Sequence, residues 1–153
     1  MAATTVDVNF STSKGIAKGP NNTEALKAQA KELISDNQVS FIGFVNAEVN
    51  RANYLKSAIY ISIPKSDGTA ISLLEAMAFG AIPVVSDLPA NREWIVDGEN
   101  GILVHDGDVD AAIRRALLLN PTDVAQRNAK IISERGSKEA NRKIFLSLYD
   151  QCQ

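Results

Sequence analysis

Residues 58–104 read AIYISIPKSDGTAISLLEAMAFGAIPVVSDLPANREWIVDGENGILV, and this stretch decides the fold. It holds three short runs rich in β-branched residues: Ile59 to Ile63, Ile82 to Ser86 and Ile102 to Val104. Between the first two lies a helical pattern, Ala70 to Phe79, stopped by Gly80 in the position that favours a left-handed backbone. Short strands alternating with helices predict βα units and a parallel sheet. The nearly continuous apolar character of these runs suits strands covered on both faces.

The alternation continues outward. Toward the N-terminus, Ser40 to Val45 (SFIGFV) and the weaker Val6 to Phe10 read as strands. Asn22 or Thr23 caps a helix through about Ile34, with Leu26, Ala30 and Leu33 on one face, and Asn46 caps another ending near Ser57. Toward the C-terminus, Val109 to Leu119 forms a helix with Ala112, Ile113, Ala116 and Leu117 as its buried stripe. Asn120-Pro121 starts the next, a capping side chain followed by proline at the first helical position. Ser137 to about Tyr149 closes the chain as an amphipathic helix carrying Ile144, Phe145 and Leu148. The predicted class is α/β, a three-layer α/β/α arrangement with a mostly parallel sheet of about five strands. In such open sheets ligands bind at the carboxyl ends of the strands, which directs attention to the loops after Val45, Ile63 and Ser86.

Composition narrows the function classes. A chain of 153 residues with 45% hydrophobic and 22% charged residues suits one globular domain with a substantial core. Its 16 basic and 18 acidic residues give a net charge of −2, which supplies no bulk attraction for nucleic acid. The lone Cys152 forms no internal disulfide, and no Cys/His cluster accompanies His105 to hold zinc. No apolar run approaches the roughly 20 residues of a membrane span, and MAATTVDVNF lacks the basic and apolar regions of a signal peptide. The acceptor patterns Asn9-Phe10-Ser11 and Asn21-Asn22-Thr23 therefore read as chance, and the expected setting is cytoplasmic.

The chemistry concentrates after Ile63, in Pro64-Lys65-Ser66-Asp67-Gly68-Thr69 and the helix that follows. A glycine just before a helix lets the backbone approach a ligand. The free N–H groups of Thr69, Ala70 and Ile71, with the positive end of the helix dipole, suit a diphosphate. Glu75 lies one to two turns into that helix among Leu74, Ala76 and Ala78, so close packing predicts a partly buried carboxylate. Such a group needs a partner: the paired hydroxyls of a ribose, a backbone N–H or a basic side chain.

These residues carry a family resemblance. Glu75-Ala76-Met77-Ala78, Gly80, Pro83-Val84, Ser86-Asp87, Glu93, Asp97-Gly98 and Asn100-Gly101-Ile102-Leu103-Val104 resemble the pattern EAMA-x-G-x-P-V-x-x-SD followed by "pE-v-dG-x-nGxLV". That pattern belongs to the C-terminal domain of retaining GT-B glycosyltransferases, the large family four (glycosyl transferases group 1). Upstream, VSFIGFV resembles the family's "V-x-F-x-G-x-V" strand, and downstream His105-Asp106-Gly107-Asp108 resembles its "GD" entry to the next helix. The resemblance spans roughly residues 20 to 120.

The resemblance implies a Rossmann-like domain that binds a nucleotide-sugar donor, UDP-, GDP- or ADP-linked, with no metal and no further cofactor. Two acids separated by seven residues mark the donor site. Glu75 occupies the position that binds the ribose hydroxyls, and Asp67 the position that approaches the transferred sugar, where the family usually has glutamate. Backbone amides from Gly68 through Thr69, Ala70 and Ile71 would meet the diphosphate or sugar. Main-chain groups of Gly43, Phe44 and Val45 would contact the base. The family supplies an arginine and a lysine after its first strand. Here no arginine precedes Arg51 and the first strand-helix unit is lacking; Lys14 and Lys18, each before a glycine, are candidates to reach phosphate, although their spacing to VSFIGFV suits the second unit. The N-terminal domain, which binds an acceptor such as a glycan or lipid-linked glycan and closes over the donor, is also lacking. The chain thus reads as a fragment inactive alone, with any peripheral membrane contact left to that domain.

Other candidates have plainer readings. His105 is expected in a loop, Trp94 on a short helix after Asp87 is expected to pack, and Arg114-Arg115 and Arg142-Lys143 read as solvated charges. The stripe on the last helix is either core or a face for the missing domain. Two alternatives stand beside the transferase: a non-catalytic nucleotide-binding or interaction module, and a nucleotide-sugar epimerase relative, the latter disfavoured by the Asp-Gly…Glu-Ala-Met-Ala pattern.

Overall fold

The computed structural model describes residues 6–8, 39–41 and 45–151. The chain divides into two compact units, Met1–Asn50 and Arg51–Gln153. In the first, β1 (Val6–Val8) pairs in parallel with β2 (Val39–Phe41), with Val6 opposite Val39 and Val8 opposite Phe41. β1 lies inside the strand expected there, whereas β2 starts at Val39, one residue ahead of the expected Ser40. The helix expected to Ile34 falls outside the described residues, as do Lys14, Lys18, Cys152 and both glycosylation patterns.

Helix α1 (Ala47–Lys56) runs across the junction. Asn46 caps it as expected, its Oδ1 accepting from Val49 N at 2.9 Å. The second unit then follows in order: β3 (Ile59–Ser62), α2 (Ile71–Ala78), β4 (Ile82–Ser86), the short α3 (Pro89–Arg92), β5 (Ile102–Val104), α4 (Val109–Ala116) and α5 (Pro121–Ile131). A π-helical turn at Ile132–Gly136 and α6 (Lys138–Gln151) complete it. The strands lie in the order β3-β4-β5, all parallel, with Ile59 opposite Ile82 and Val84 opposite Ile102. The expected sheet of about five strands is therefore met in part: three strands form one sheet in the second unit, and two pair in the first.

Alternation along β4 builds two cores, one on each face of the sheet. Ile82 and Val84 pack with Ile102 and Val104 against Ala112, Ala116 and Val124 of α4 and α5. Val85 and Leu103 pack on the opposite face with Leu73 and Met77 of α2 and with Ile95. Every residue from Ala81 to Val85 is buried. Helices on both faces make the second unit the three-layer α/β/α domain its apolar strands predict. A third cluster joins Tyr54 of α1 to Ala76 and Ala81, with the Tyr54 and Phe79 rings stacked 6.1 Å apart.

Two helical expectations need correction, and one open alternative is narrowed. Leu117 is not in the buried stripe. Helix α4 stops at Ala116, and Leu117, next in the chain, is 67% exposed, while Leu119 packs on the core instead. Trp94 is not on a helix, because α3 ends at Arg92. It still packs as expected, within the Leu73–Met77 cluster, with the Arg135 guanidinium 4.7 Å from its ring centre. In α6, Ile144, Phe145 and Leu148 are all exposed, so among the described residues that stripe covers no core. Asn120 and Gly80 meet their assigned roles. Asn120 Oδ1 accepts from Thr122 N and Asp123 N ahead of Pro121, and Gly80 has φ +87°.

Candidate functional site

At the carboxyl end of β3 the chain leaves the sheet through residues 64–70 and enters α2. Lys65, Ser66, Asp67, Gly68 and Thr69 are all exposed, and Asp67 Oδ1 turns back to accept from Gly68 N at 2.9 Å. Ala70 stands at the helix N-cap with extended φ and ψ of −72° and 124°, and alanine has no side chain to cap with. Ala70 O takes the first intrahelical bond, from Leu73 N at 3.1 Å. Among the described residues nothing accepts from the N–H groups of Thr69, Ala70, Ile71 and Ser72. Four consecutive amide donors thus remain open at the positive end of the helix dipole. Space above them is open too. A Cβ built on Gly68 would meet no atom within 4 Å.

Glu75 differs from its expected burial. Helix α2 buries Leu73, Ala76 and Met77, whereas Glu75 shares the outer line with Ile71 and Ala78, four residues before and three after it. Its carboxylate is therefore solvated, and among the described residues no group hydrogen-bonds it. The small residues of this helix serve its inner face, so close packing there does not enclose the glutamate. Asp67, Gly68, Thr69, Ile71 and Glu75 are exposed along one loop-and-helix segment, and Ala70 within it is half-buried against the Leu73–Met77 core. Gly43 and Phe44 lie outside the described residues, and Val45 is half-buried ahead of α1 in the first unit.

Beyond the ends of β4 and β5 the side chains form a charge network that sequence reading misses. Asp87 receives Nε and Nη2 of Arg92, the latter at 2.8 Å, and lies 3.0 Å from His105 Nδ1. Arg92 holds the Asp87 carboxyl below its usual range, chiefly through this hydrogen bond and charge, with a smaller effect from His105. Asp97 accepts from Leu103 N at 2.9 Å and from Arg115 Nη2 at 2.7 Å, while His105 Nε2 lies 3.8 Å away. Burial pushes the Asp97 pKa up, but Arg115 and the Leu103 N–H together outweigh it, so the carboxyl is held low. Arg115 is thus not merely a solvated charge, although Arg114 is a surface partner of Asp110 on its own helix. His105 sits in a loop as expected, between two carboxylates. The separations of 18 residues or fewer among these partners carry no motif of their own, and only the folded strand ends bring them together.

Behind this network two buried asparagines lock the turn before β5. Asn100 is 2% and Asn128 0% exposed. Asn100 Nδ2 donates to Asn128 Oδ1 at 2.8 Å and Asn128 Nδ2 returns to Asn100 O at 3.0 Å. Asn128 was open to recognition by periodicity, since it follows the buried Val124 by one helical turn. Among the described residues no group of three or more His, Cys, Asp or Glu is placed to hold a metal ion, and no helix is long and apolar enough to cross a membrane.

The chain as a whole is similar to proteins of known class. Over 102 residues the chain is 38% identical to phosphatidyl-myo-inositol mannosyltransferase of Mycobacterium leprae, covering 65% of this chain and 26% of that protein. Its counterpart from Mycolicibacterium smegmatis is 35% identical over 94 residues, covering 60% of this chain and 24% of that protein. The chain therefore spans about a quarter of the length of these relatives. Among solved structures, the C-terminal domain of the glycosyl transferase group 1 family protein LpcC from Francisella tularensis superposes with a TM-score of 0.64 at 24% identity, over 78% of this chain and 66% of that one. The pneumococcal O-GlcNAc transferase GtfA, solved with UDP and GlcNAc, gives 0.72 at 19% identity, over 95% and 29% of the two chains. These two likenesses establish the fold. The family model "Glycosyl transferases group 1" matches residues 14–136, most of the chain, and the protein belongs to that family.

Proposed function

We propose that this chain is the donor-binding lobe of a retaining, metal-independent glycosyltransferase that moves a sugar from a nucleotide-sugar to an acceptor bound by a separate domain. One observation carries the proposal: the uncapped start of α2, where four amides without acceptors adjoin an exposed, unpartnered Glu75. Amides at a helix N-terminus suit a diphosphate, both in the bound donor and as it leaves with extra charge. Glu75, free of internal partners, is available to accept from both ribose hydroxyls, and Asp67 is assigned to the transferred sugar. The base is assigned to the backbone of Gly43, Phe44 and Val45. The mannosyltransferases among its relatives make a mannosyl donor and a lipid-linked acceptor the first substrates to try. A cytoplasmic setting belongs to the same proposal.

Calorimetry of the chain with UDP, GDP and ADP, and with their sugars, tests it. One nucleotide is expected to bind. Glu75→Ala should weaken that binding about ten- to a hundredfold, the scale of one or two hydrogen bonds to a charged group. Gly68→Ala should leave stability unchanged, since its Cβ enters open space, yet lower affinity by obstructing the phosphates. Binding by none of the nucleotides, or full affinity in Glu75→Ala, refutes the donor-site assignment. A second reading, a nucleotide-binding module without transferase activity, draws on Asp67, whose Oδ1 is turned to Gly68 N. It predicts nucleotide binding unaffected by Asp67→Ala and by the attached sugar.

A further inference from the structure

Inter-strand bonding between β3 and β4 ends at the pair Ser62 and Val85. From there to α2 the backbone has few ties. Pro64 has no N–H to donate, so its carbonyl is its only backbone handle. That carbonyl accepts from Ser86 Oγ at 2.7 Å, across 22 residues of sequence. Ser86 is itself fixed from behind: its carbonyl accepts from the Nδ2 of buried Asn91 at 2.8 Å and from Leu88 N at 2.8 Å. On the far side of the loop, Ser72 Oγ in the first turn of α2 lies 2.8 Å from the hydroxyl of Tyr60 on β3. From Lys65 to Thr69 the only hydrogen bond among the described residues is the local one from Gly68 N to Asp67 Oδ1, and beyond them Ala70 O is tied into α2 by Leu73 N and Leu74 N.

We propose that Ser86 is a positioning residue for the donor loop. Its hydroxyl holds the Pro64 carbonyl as the entry anchor, with the Tyr60–Ser72 pair as the exit anchor, so that the amides of Thr69 to Ser72 face one point. The inference rests on the donor-site reading of that loop and adds to it a residue on a different strand that touches no ligand. Helix α2 aligns the amides of Ile71 and Ser72, but the exposed residues Lys65 to Thr69 have no such frame, so the approach of Thr69 N to that group is set at the two hydroxyl anchors.

The experiment compares Ser86→Ala, Ser86→Thr and Tyr60→Phe in the full chain by calorimetry, using the nucleoside diphosphate that the parent binds and the matching monophosphate. Losing one net hydrogen bond predicts about fivefold weaker diphosphate binding in Ser86→Ala and in Tyr60→Phe. Monophosphate affinity should change less, and Ser86→Thr, which keeps the hydroxyl, should restore binding. Amide order parameters over residues 65 to 72 should fall in Ser86→Ala and recover in Ser86→Thr. Parental diphosphate affinity and order parameters in a folded Ser86→Ala protein would overturn the inference, as would a Ser86→Thr variant as weak as alanine. Failure of the parent protein to bind any nucleoside diphosphate would instead bring down the donor-site reading beneath it.

Discussion

Removing the buried amide of Asn128 should destabilise the second unit by about 2–4 kcal/mol. Asn128→Ala breaks two hydrogen bonds, Asn100 Nδ2 to Asn128 Oδ1 and Asn128 Nδ2 to Asn100 O. Each bond contributes about 1 kcal/mol net, and the Asn100 carbonyl, left without its partner at a position only 2% exposed, adds about 1–2 kcal/mol. Asn100→Ala breaks three side-chain bonds: the one to Asn128, one to Trp94 O at 2.9 Å and one from Val96 N at 2.7 Å. Val96 is exposed, so its N–H recovers solvent, and the expected cost is about 3–4 kcal/mol. Only the Nδ2–Oδ1 bond requires both side chains, because Asn128 also binds the Asn100 backbone. A double-mutant cycle should therefore return a coupling of about 1 kcal/mol, well below either single loss. Urea unfolding of the two single variants and the double variant measures all three. Strict additivity, or an Asn128→Ala cost under about 0.5 kcal/mol, would refute the assignment of this pair as the lock between α5 and the turn before β5.

Two further outcomes follow from neighbouring contacts. Gly101→Ala should cost about 1–3 kcal/mol by overpacking, since a Cβ there would lie 2.9 Å from Pro83 O and 3.1 Å from Ile95 Cγ2; an unchanged urea midpoint would show that β4 and β5 part more readily than this. Asp97 has a depressed folded-state pKa, so its contribution is fully present above its ordinary value of 3.8 and is lost as pH falls through the lower folded value. Asp97→Asn keeps an acceptor for Leu103 N but loses the Arg115 charge pair, so the stability gap between parent and variant should be constant near neutrality and close in acid. A gap that widens on acidification would reverse the sign and sink the assignment.

What was legible in the sequence was whatever depends on a local cause. Asn46 and Asn120 cap because a short polar side chain can reach an amide two or three residues on, and Gly80 ends α2 because a left-handed residue is needed there. Strands β4 and β5 match their expected bounds because their apolar runs are buried on both faces, and β4 ends at the polar Ser86. Leu117 was misplaced because a stripe read by period assumes a helix that continues, and α4 ends one residue earlier. Glu75 was misplaced for a related reason: small neighbours mark a packed helix without saying which side is packed. The Asp87–His105–Asp97–Arg115 network and the Ser86–Pro64 contact were not legible. Each joins residues whose separation in sequence has no period, and only the parallel order β3-β4-β5 brings their loops to one end of the sheet.

The motif-bearing stretch from Asp67 to Gly101 therefore divides by physical cause. Gly80 is required by its backbone conformation, Gly101 by the strand beside it, and Asn100 by two buried amides and a turn. Each would be selected in a protein that bound nothing. Gly68 has neither a left-handed φ nor a neighbour within reach of a Cβ, and Glu75 has no partner and no burial. The fold gives no reason for either residue type. The two residues the fold leaves unexplained lie on the loop before α2 and on the outer face of that helix, where the proposed donor site is placed, and the explained ones lie elsewhere. The force of the donor-site reading comes from this separation. It would vanish if Gly68→Ala or Glu75→Ala proved costly to folding, because the fold would then account for the whole motif.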